Sequence, residues 1–385
     1  MRVVHIIKVV RIAGAEQHLL TLLDGLRASN VDARMILLVE PSNPMENYVQ
    51  AATARGIPVE PMTIGSHVDL TLHRRLYSAL RHMQPDIVHT HLLHADVFGI
   101  PAARAARVPI VVTSRHNDNT FRRRFPIRQT NQALWQSVDA GIAISQSLAR
   151  FCVEVEGAPA EKIHTIYYGL DPERWLVDAK GARVVLRREL GMGRHDLLVG
   201  MACRLIEQKG VTYGLKAFAR VAEEFPAAHI VVAGDGPLRE ALENQAKWMT
   251  AAERVHFLGW RSDVPFLLAA LDILLVPSLW EGFGLVLLEA MAQSIPIIAS
   301  DVSALPEIVI HAETGLLAPP ADVEALADAL RLLLADKALR RHLGLMGQDR
   351  LEQHFGAARM VGETMALYEE LLREKRKQNA QKARR

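Results

Sequence analysis

Short, nearly continuous apolar runs alternate along this chain with longer stretches in which apolar residues recur every three or four positions. The first pattern reads as strands buried on both faces, the second as helices packed against them. Runs at 3–10, 33–39, 58–62, 86–90, 109–113, 138–144 and 162–167 predict strands. Between them, 16–27 has helical period through His18, Leu19, Leu22, Leu23 and Leu26, and 72–83 predicts a helix that ends before Pro85. Ser145 is placed to cap a helix after its strand. From Tyr168 to Arg194 polarity rises, and glycines stand at 191 and 193, as in a connection between domains. A second series then predicts strands at 197–203, 229–233, 255–258, 273–276, 296–299 and 316–317. Its helices fall at 211–224, 237–249, 263–270, 284–292 and 305–310, and again from about 322. The fold class is therefore α/β, in two halves with parallel sheets.

The stretch Pro277 to Met291, PSLWEGFGLVLLEAM, carries the sharpest chemistry. The stretch reads as a strand end, then Glu281, a glycine turn at Gly282, Phe283 and Gly284, and a helix that starts near Gly284 and carries Glu289. The first backbone N–H groups of a helix lack partners and carry partial positive charge, which suits a diphosphate. Eight helical positions span roughly 12 Å at about 1.5 Å per residue. One carboxylate can then reach a sugar and the other a ribose, with phosphates between. Two glutamates eight apart can also simply face solvent. Against that, Glu289 sits among Leu287, Leu288, Ala290 and Met291, where an unpartnered charge is costly.

Other candidates fall at strand ends, where open parallel sheets bind ligands. His89 and His91 alternate at the end of the fourth run and share a face; His116 follows the fifth. Gly14, with Glu16 after it, lies in a small-residue turn that lets a ligand approach the backbone, or is a plain structural turn. Arg204 and Lys209 follow the first strand of the second half and can neutralise a diphosphate. Gly234-Asp235-Gly236-Pro237 and Phe257-Leu258 fall at the same edge. Residues 121–128, FRRRFPIR, form a basic aromatic cluster that reads as a solvated face or as a contact for an anionic acceptor or membrane.

Composition narrows the classes. At 385 residues and 50% hydrophobic, the chain can build two or three cores. A net charge of +2 gives no support to nucleic-acid binding. Cys152 and Cys203 are isolated, with neither a disulfide framework nor metal-ligand spacing, as suits a reducing cytosol. His5, Lys8 and Arg11 argue against a secretory segment at 1–10, which reads as a core strand. The end, 374–385, is strongly basic and is expected to be disordered.

Taken together and in order, Gly14 with Glu16, His89-Thr90-His91, Arg204 with Lys209, Gly234-Asp235-Gly236-Pro237 and the Glu281–Glu289 pair resemble a retaining GT-B glycosyltransferase of family 4 over nearly the whole chain. The resemblance implies two facing Rossmann-like domains. Residues 1–170 would bind the acceptor and 171–355 the nucleotide sugar. A helix at 356–373 would cross back to the first domain, ahead of the basic tail at 374–385. It also implies roles. Arg204 and Lys209 would hold the donor diphosphate, Glu289 the ribose and Glu281 the transferred sugar. Backbone groups of Gly282, Phe283, Gly284 and Leu285 would bind sugar or phosphate, Leu258 would meet the base, and Gly14 the diphosphate. His91 would contact the sugar near the reacting carbon, with His89, His116 and Glu16 on the acceptor side. The implied acceptor is a glycan or a lipid-linked precursor, with weak contact to anionic membrane at the cytoplasmic face. No cofactor or metal is expected, because no aspartate has another two positions on. Two departures stand out: Ala13 precedes Gly14 where two glycines are common, and Tyr168 replaces a frequent Asn before Gly169. A GT-B sugar-nucleotide epimerase and a non-catalytic sugar-nucleotide-binding protein remain as alternatives.

Overall fold

The computed structural model describes residues 1–65, 69–118 and 120–383. The chain divides into two compact units. One comprises Met1–Gly169 together with Ala357–Arg385, the other Leu170–Gly356.

In the first unit the strands are β1 (Arg2–Lys8), β2 (Asp32–Val39), β3 (Val59–Thr63), β4 (Ile87–His91), β5 (Ile110–Arg115), β6 (Ala140–Ala143) and β7 (Ile163–Thr165). They form one parallel sheet in the order β3-β2-β1-β4-β5-β6-β7. Val3, Val4, Ile6 and Ile7 of β1 are fully buried, as expected of a strand covered by helices on both faces. The register sets His5 beside His89 and Ile7 beside His91. The helix Gly14–Ala28 packs Leu19, Leu22, Leu23 and Leu26 into the core. The 27-residue helix Ala357–Ala383 adds Met360, Val361, Leu367 and Tyr368 to that same core. At Gly25 a Cβ would lie 2.4 Å from Val361 Cγ2, so only glycine allows this approach.

The second unit holds β8 (Leu197–Ala202), β9 (Ala228–Ala233), β10 (Val255–Gly259), β11 (Ile273–Val276), β12 (Ile297–Ser300) and β13 (Leu316–Ala318). Its parallel sheet runs β10-β9-β8-β11-β12-β13. In each unit the strand order reverses beside the first strand, between β1 and β4 and between β8 and β11. Ligand crevices of open α/β sheets form at such points, outside the carboxyl ends of the strands.

Two expectations need correction, and one helix was missed. The helix that closes the first unit continues to Ala383, so the segment expected to be disordered from Glu374 is helical that far; Arg384 and Arg385 lie outside the described residues. The turn expected at 13–15 is already the first turn of the helix Gly14–Ala28. The helix Leu92–Ala105 was not anticipated, because Gly99 and the internal Pro101 break its pattern. Gly99 packs closely there: a Cβ would stand 3.0 Å from Thr90 and 3.1 Å from Ile6.

The basic cluster is divided. Arg123, Arg124 and Arg128 are exposed, and Phe125 is 82% exposed. The Phe121 side chain lies outside the described residues. Arg122, by contrast, is buried and ion-paired with Glu156 at 2.6 Å. Glu156 also pairs with Arg115 at 2.7 Å and accepts from Trp135 at 3.0 Å. Arg115 in turn meets Asp96 at 2.6 Å, and Asp96 accepts from Thr90 and Thr113. Burial alone would raise the Glu156 pKa, but the two guanidinium groups outweigh it and hold the carboxyl below its usual range. The Glu156→Gln variant leaves two buried cations short of one charge. It is expected to lose roughly 3–5 kcal/mol of stability, measured by urea unfolding.

Candidate active site

In the second unit, two loops meet at the carboxyl ends of β8 and β11. The first runs from Cys203 to Gly210, where the chain turns into the helix Val211–Val221. Gly210 has φ of +59°, and a Cβ there would lie 1.9 Å from the Pro277 carbonyl oxygen. The second runs from Pro277 to Gly284, whose φ of +90° opens the helix Leu285–Ala292. Leu279 N donates to Gln208 O at 2.8 Å, and Gln208 Nε2 donates to Trp280 O at 3.1 Å. The Lys209 ammonium closes the junction by pairing with the Glu281 carboxylate. Both side chains are mostly buried, at 17% and 11% exposure. Phe283 is buried in edge contact with Phe355, which anchors the turn between Gly282 and Gly284.

Glu289 lies about one helical turn beyond Leu285. It has no hydrogen-bond or ion-pair partner among the described residues, and burial pushes its carboxyl up to about 8. Arg204 is half-buried on the first loop. Leu205 N donates to Asp235 O at 3.0 Å, which ties that loop to the glycine turn after β9. Gly234 belongs there: a Cβ would lie 1.8 Å from Cys203 O. Leu258 is the next-to-last residue of β10, which ends at Gly259, and Trp260 after it is 74% exposed. The sequence reading passed over Trp260, although an aromatic residue beside a strand end was a visible signal. Arg204, Lys209, Gly282, Phe283, Gly284, Leu285, Glu281 and Glu289 are thus gathered on two adjoining loops and one helix.

The first unit gathers histidines at its own sheet edge. His5 Nδ1 lies 2.9 Å from His91 Nε2, and His91 Nδ1 lies 3.0 Å from His116 Nε2. His116 Nδ1 meets the Tyr168 hydroxyl at 2.5 Å. His89 is held separately, by Ser114 Oγ at 2.7 Å and by the Tyr368 hydroxyl at 2.6 Å. His18 stacks on the Tyr168 ring at 4.0 Å. Burial pushes the His5 and His116 pKa values down to about 3, and those of His89 and His91 well below the usual range, so the rings are neutral at pH 7. Leu92, directly after His91, has φ of +68°, a strained turn for a residue with a side chain.

This placement changes the expected role of His91. It is fully buried and both ring nitrogens are engaged, so it offers none to a sugar. His89 is spent in the same way. His116 is 8% exposed, but its nitrogens are also bonded within the row. Glu16 accepts from Ala13 N at 2.9 Å and so caps its own helix. Gly14 remains open, with nothing within 4 Å of a Cβ built there. The sequence reading missed His5, His18 and Tyr368 as members of the cluster.

His5, His89 and His91 stand close enough together for a metal to be considered. In this structure His5 and His91 bond to each other instead: their centroids are 5.2 Å apart with planes 15° apart, and the facing nitrogens are 2.9 Å apart.

Residues 185–350 match the family model of glycosyl transferases group 1, and residues 12–174 that of glycosyltransferase family 4. The N-acetyl-alpha-D-glucosaminyl L-malate synthase of Bacillus anthracis is 29% identical over 316 residues, 80% of each chain. The phosphatidyl-myo-inositol mannosyltransferase of Mycobacterium leprae is 29% identical over 362 residues, 92% of each. Among solved structures, Anabaena Alr3699/HepE in complex with UDP aligns with a TM-score of 0.84 at 22% identity, over 96% of this chain and 100% of that one. The lipopolysaccharide glycosyltransferase WaaG aligns at 0.70 and 18% identity, over 94% and 98%. These likenesses establish the GT-B fold.

The raised pKa of Glu289 predicts a pH effect. Below pH 4.5 the carboxyl is protonated whether the chain is folded or not, and the side chain costs nothing. As pH rises toward 8 the unfolded state ionises first, and stability is lost across that window. Glu289→Gln is therefore expected to melt above the wild type at pH 8.5 and level with it at pH 4, by calorimetry on the free protein.

Proposed function

Because the chain belongs to the group 1 glycosyltransferases, we propose that it moves a sugar from a nucleoside-diphosphate sugar to a hydroxyl of a glycan or lipid-linked acceptor, with retention of anomeric configuration and without a metal. The observation that carries this reading is the junction of Lys209, Glu281 and the unpartnered Glu289 at the strand-order reversal of the second unit. Lys209 and Arg204 take the diphosphate, which competes with Glu281 for the ammonium. The freed Glu281 carboxylate then meets the transferred sugar. Glu289 accepts from the ribose hydroxyls, and its ionised form does so best. Backbone N–H groups from Gly282 to Leu285 face sugar or phosphate oxygens, and Leu258 lies against the base. UDP and UDP-glucose complexes of Alr3699/HepE support a donor of this class.

Charge develops on the departing phosphates, where fixed cations and helix-start donors stabilise it directly. Such stabilisation needs no resident metal. The acceptor hydroxyl then attacks from the face the nucleotide leaves, and the leaving phosphate takes its proton. The first unit binds the acceptor. His89, His91 and His116 serve as its buried support.

No helix among the described residues is long and apolar enough to cross a membrane. Arg123, Arg124 and Arg128 around exposed Phe125 suit a weak contact with anionic lipid at the cytoplasmic face. Binding to anionic vesicles no stronger than to neutral ones removes that contact from the proposal.

Thermal unfolding with UDP, GDP, ADP and their sugars, in EDTA, is expected to show a shift with one base. A nucleotide at 100 times its dissociation constant stabilises by roughly 2.7 kcal/mol. Binding near pH 7 is expected to release protons as Glu289 ionises, a release that Glu289→Gln abolishes in calorimetry across buffers. Glu281→Gln is expected to keep the nucleotide shift and lose turnover by about 100-fold; unchanged turnover overturns its role.

A further inference from the structure

The turn that opens the helix Leu285–Ala292 carries one side chain. Phe283 stands between Gly282 and Gly284, and glycine leaves the backbone on either side free to take many conformations. A turn whose N–H groups receive phosphate or sugar oxygens binds tightly only if it is ordered beforehand, because ordering it on binding costs entropy. The Phe283 ring is where packing can supply that order.

The packing comes from the last residues of the second unit. Phe283 and Phe355 are both buried, with ring centroids 6.1 Å apart and planes at 73°, an edge-to-face pair. The Arg350 guanidinium lies 5.5 Å from the Phe355 centroid, within cation–π reach. Arg350 is itself fixed. Its Nε donates to Ile308 O at 2.7 Å and its Nη2 to Glu307 O at 2.9 Å, on the short helix Leu305–Ile308. Leu305, which begins that helix, lies against the turn: a Cβ built on Gly284 would stand 2.9 Å from Leu305 Cδ2. The Phe355 backbone is pinned as well. Its N–H donates to Leu351 O at 2.8 Å, and its carbonyl accepts from Leu170 N at 2.9 Å. Leu170 and Gly356 are the first and last residues of the unit, and they pair with each other.

We propose that Phe355 is a positioning residue for the nucleotide sugar: through Phe283 it holds the Gly282–Gly284 turn in its binding conformation, and it makes donor affinity depend on the segments that begin and end the second unit. Arg350 supports it by fixing the Phe355 ring to the same short helix that packs on Gly284.

The proposal rests on the donor reading of that turn, but its first test needs no ligand. In full-length protein with 15N-labelled glycine, the NMR order parameters of the Gly282 and Gly284 amides are expected to be about 0.85 in the wild type and below about 0.6 in Phe355→Leu. Phe218→Leu makes the same change at a fully buried ring in the core of the same unit. It is expected to lower the melting temperature too, yet leave both glycines rigid. Rigid glycines in folded Phe355→Leu, or equal loosening in Phe218→Leu, overturn the positioning role.

The second test uses UDP, GDP and ADP in turn, at a temperature where every variant is folded. Whichever nucleotide stabilises the wild type is expected to bind Phe355→Leu about 10-fold more weakly and Phe218→Leu as tightly as the wild type. Phe283→Leu combined with Phe355→Leu is expected to lose no more affinity than the worse single change, because both break one contact. Additive losses overturn action through Phe283. A wild type that none of the three nucleotides stabilises overturns the donor reading instead, and the glycine order parameters still decide whether Phe355 holds the turn.

Discussion

Both units depend on one constraint. A parallel sheet covered by helices on both faces has no polar surface of its own. Its strands are almost entirely apolar, and the chemistry is pushed to the loops at the carboxyl edge. Arg115 of β5 keeps its charge through Asp96 and Glu156, while His5, His89 and His91, buried in the same sheet, are neutral. The burial that forms the core also removes their charge. The same burial works on Glu289 in the second unit, where it raises the carboxyl to about 8. One physical term therefore sets protonation at both edges.

Neighbours modify that term. Lys209 and Glu281 occupy a similar edge but neutralise each other, and the pair is held in a partly dry setting where a separated charge would be expensive. A pair of this kind is easily exchanged for a pair with an anion, since the ammonium keeps a partner throughout. Glu156 solves the problem differently. Two arginines and Trp135 surround it, and no room is left for exchange. The first arrangement suits a binding site and the second a brace.

Much of this architecture could be read from the chain. Buried parallel strands are short apolar runs, and glycine turns such as Gly282 to Gly284 carry their own signature. Glu281, Glu289, Arg204 and Lys209 stand out as candidates in the chain because they lie on a glycine turn, on the helix it opens, and on the loop after an apolar run. The helix Leu92–Ala105 was hidden because Gly99, packed closely on β1 and β4, and the internal Pro101 break the helical pattern. The histidine row was hidden for a different reason. His5 is a lone histidine in an apolar run, and only the register of β1 against β4 sets it beside His89 and within reach of His91. Tyr368 lies 279 residues from His89 and has no local signal at all. Arg122 looked like its basic neighbours, and only its contact with Glu156 sets it apart.

The helix Ala357–Ala383 has a consequence for biosynthesis. The second unit is one continuous segment, and its sheet and loops can close as soon as residue 356 has left the ribosome. The first unit begins the chain but lacks Met360, Val361, Leu367 and Tyr368 until the last helix emerges. Its seven strands must wait with part of the core uncovered while the whole of the other unit is made. The half of the molecule that is translated first is therefore completed last, and in that interval it exposes the apolar surface that chaperones recognise.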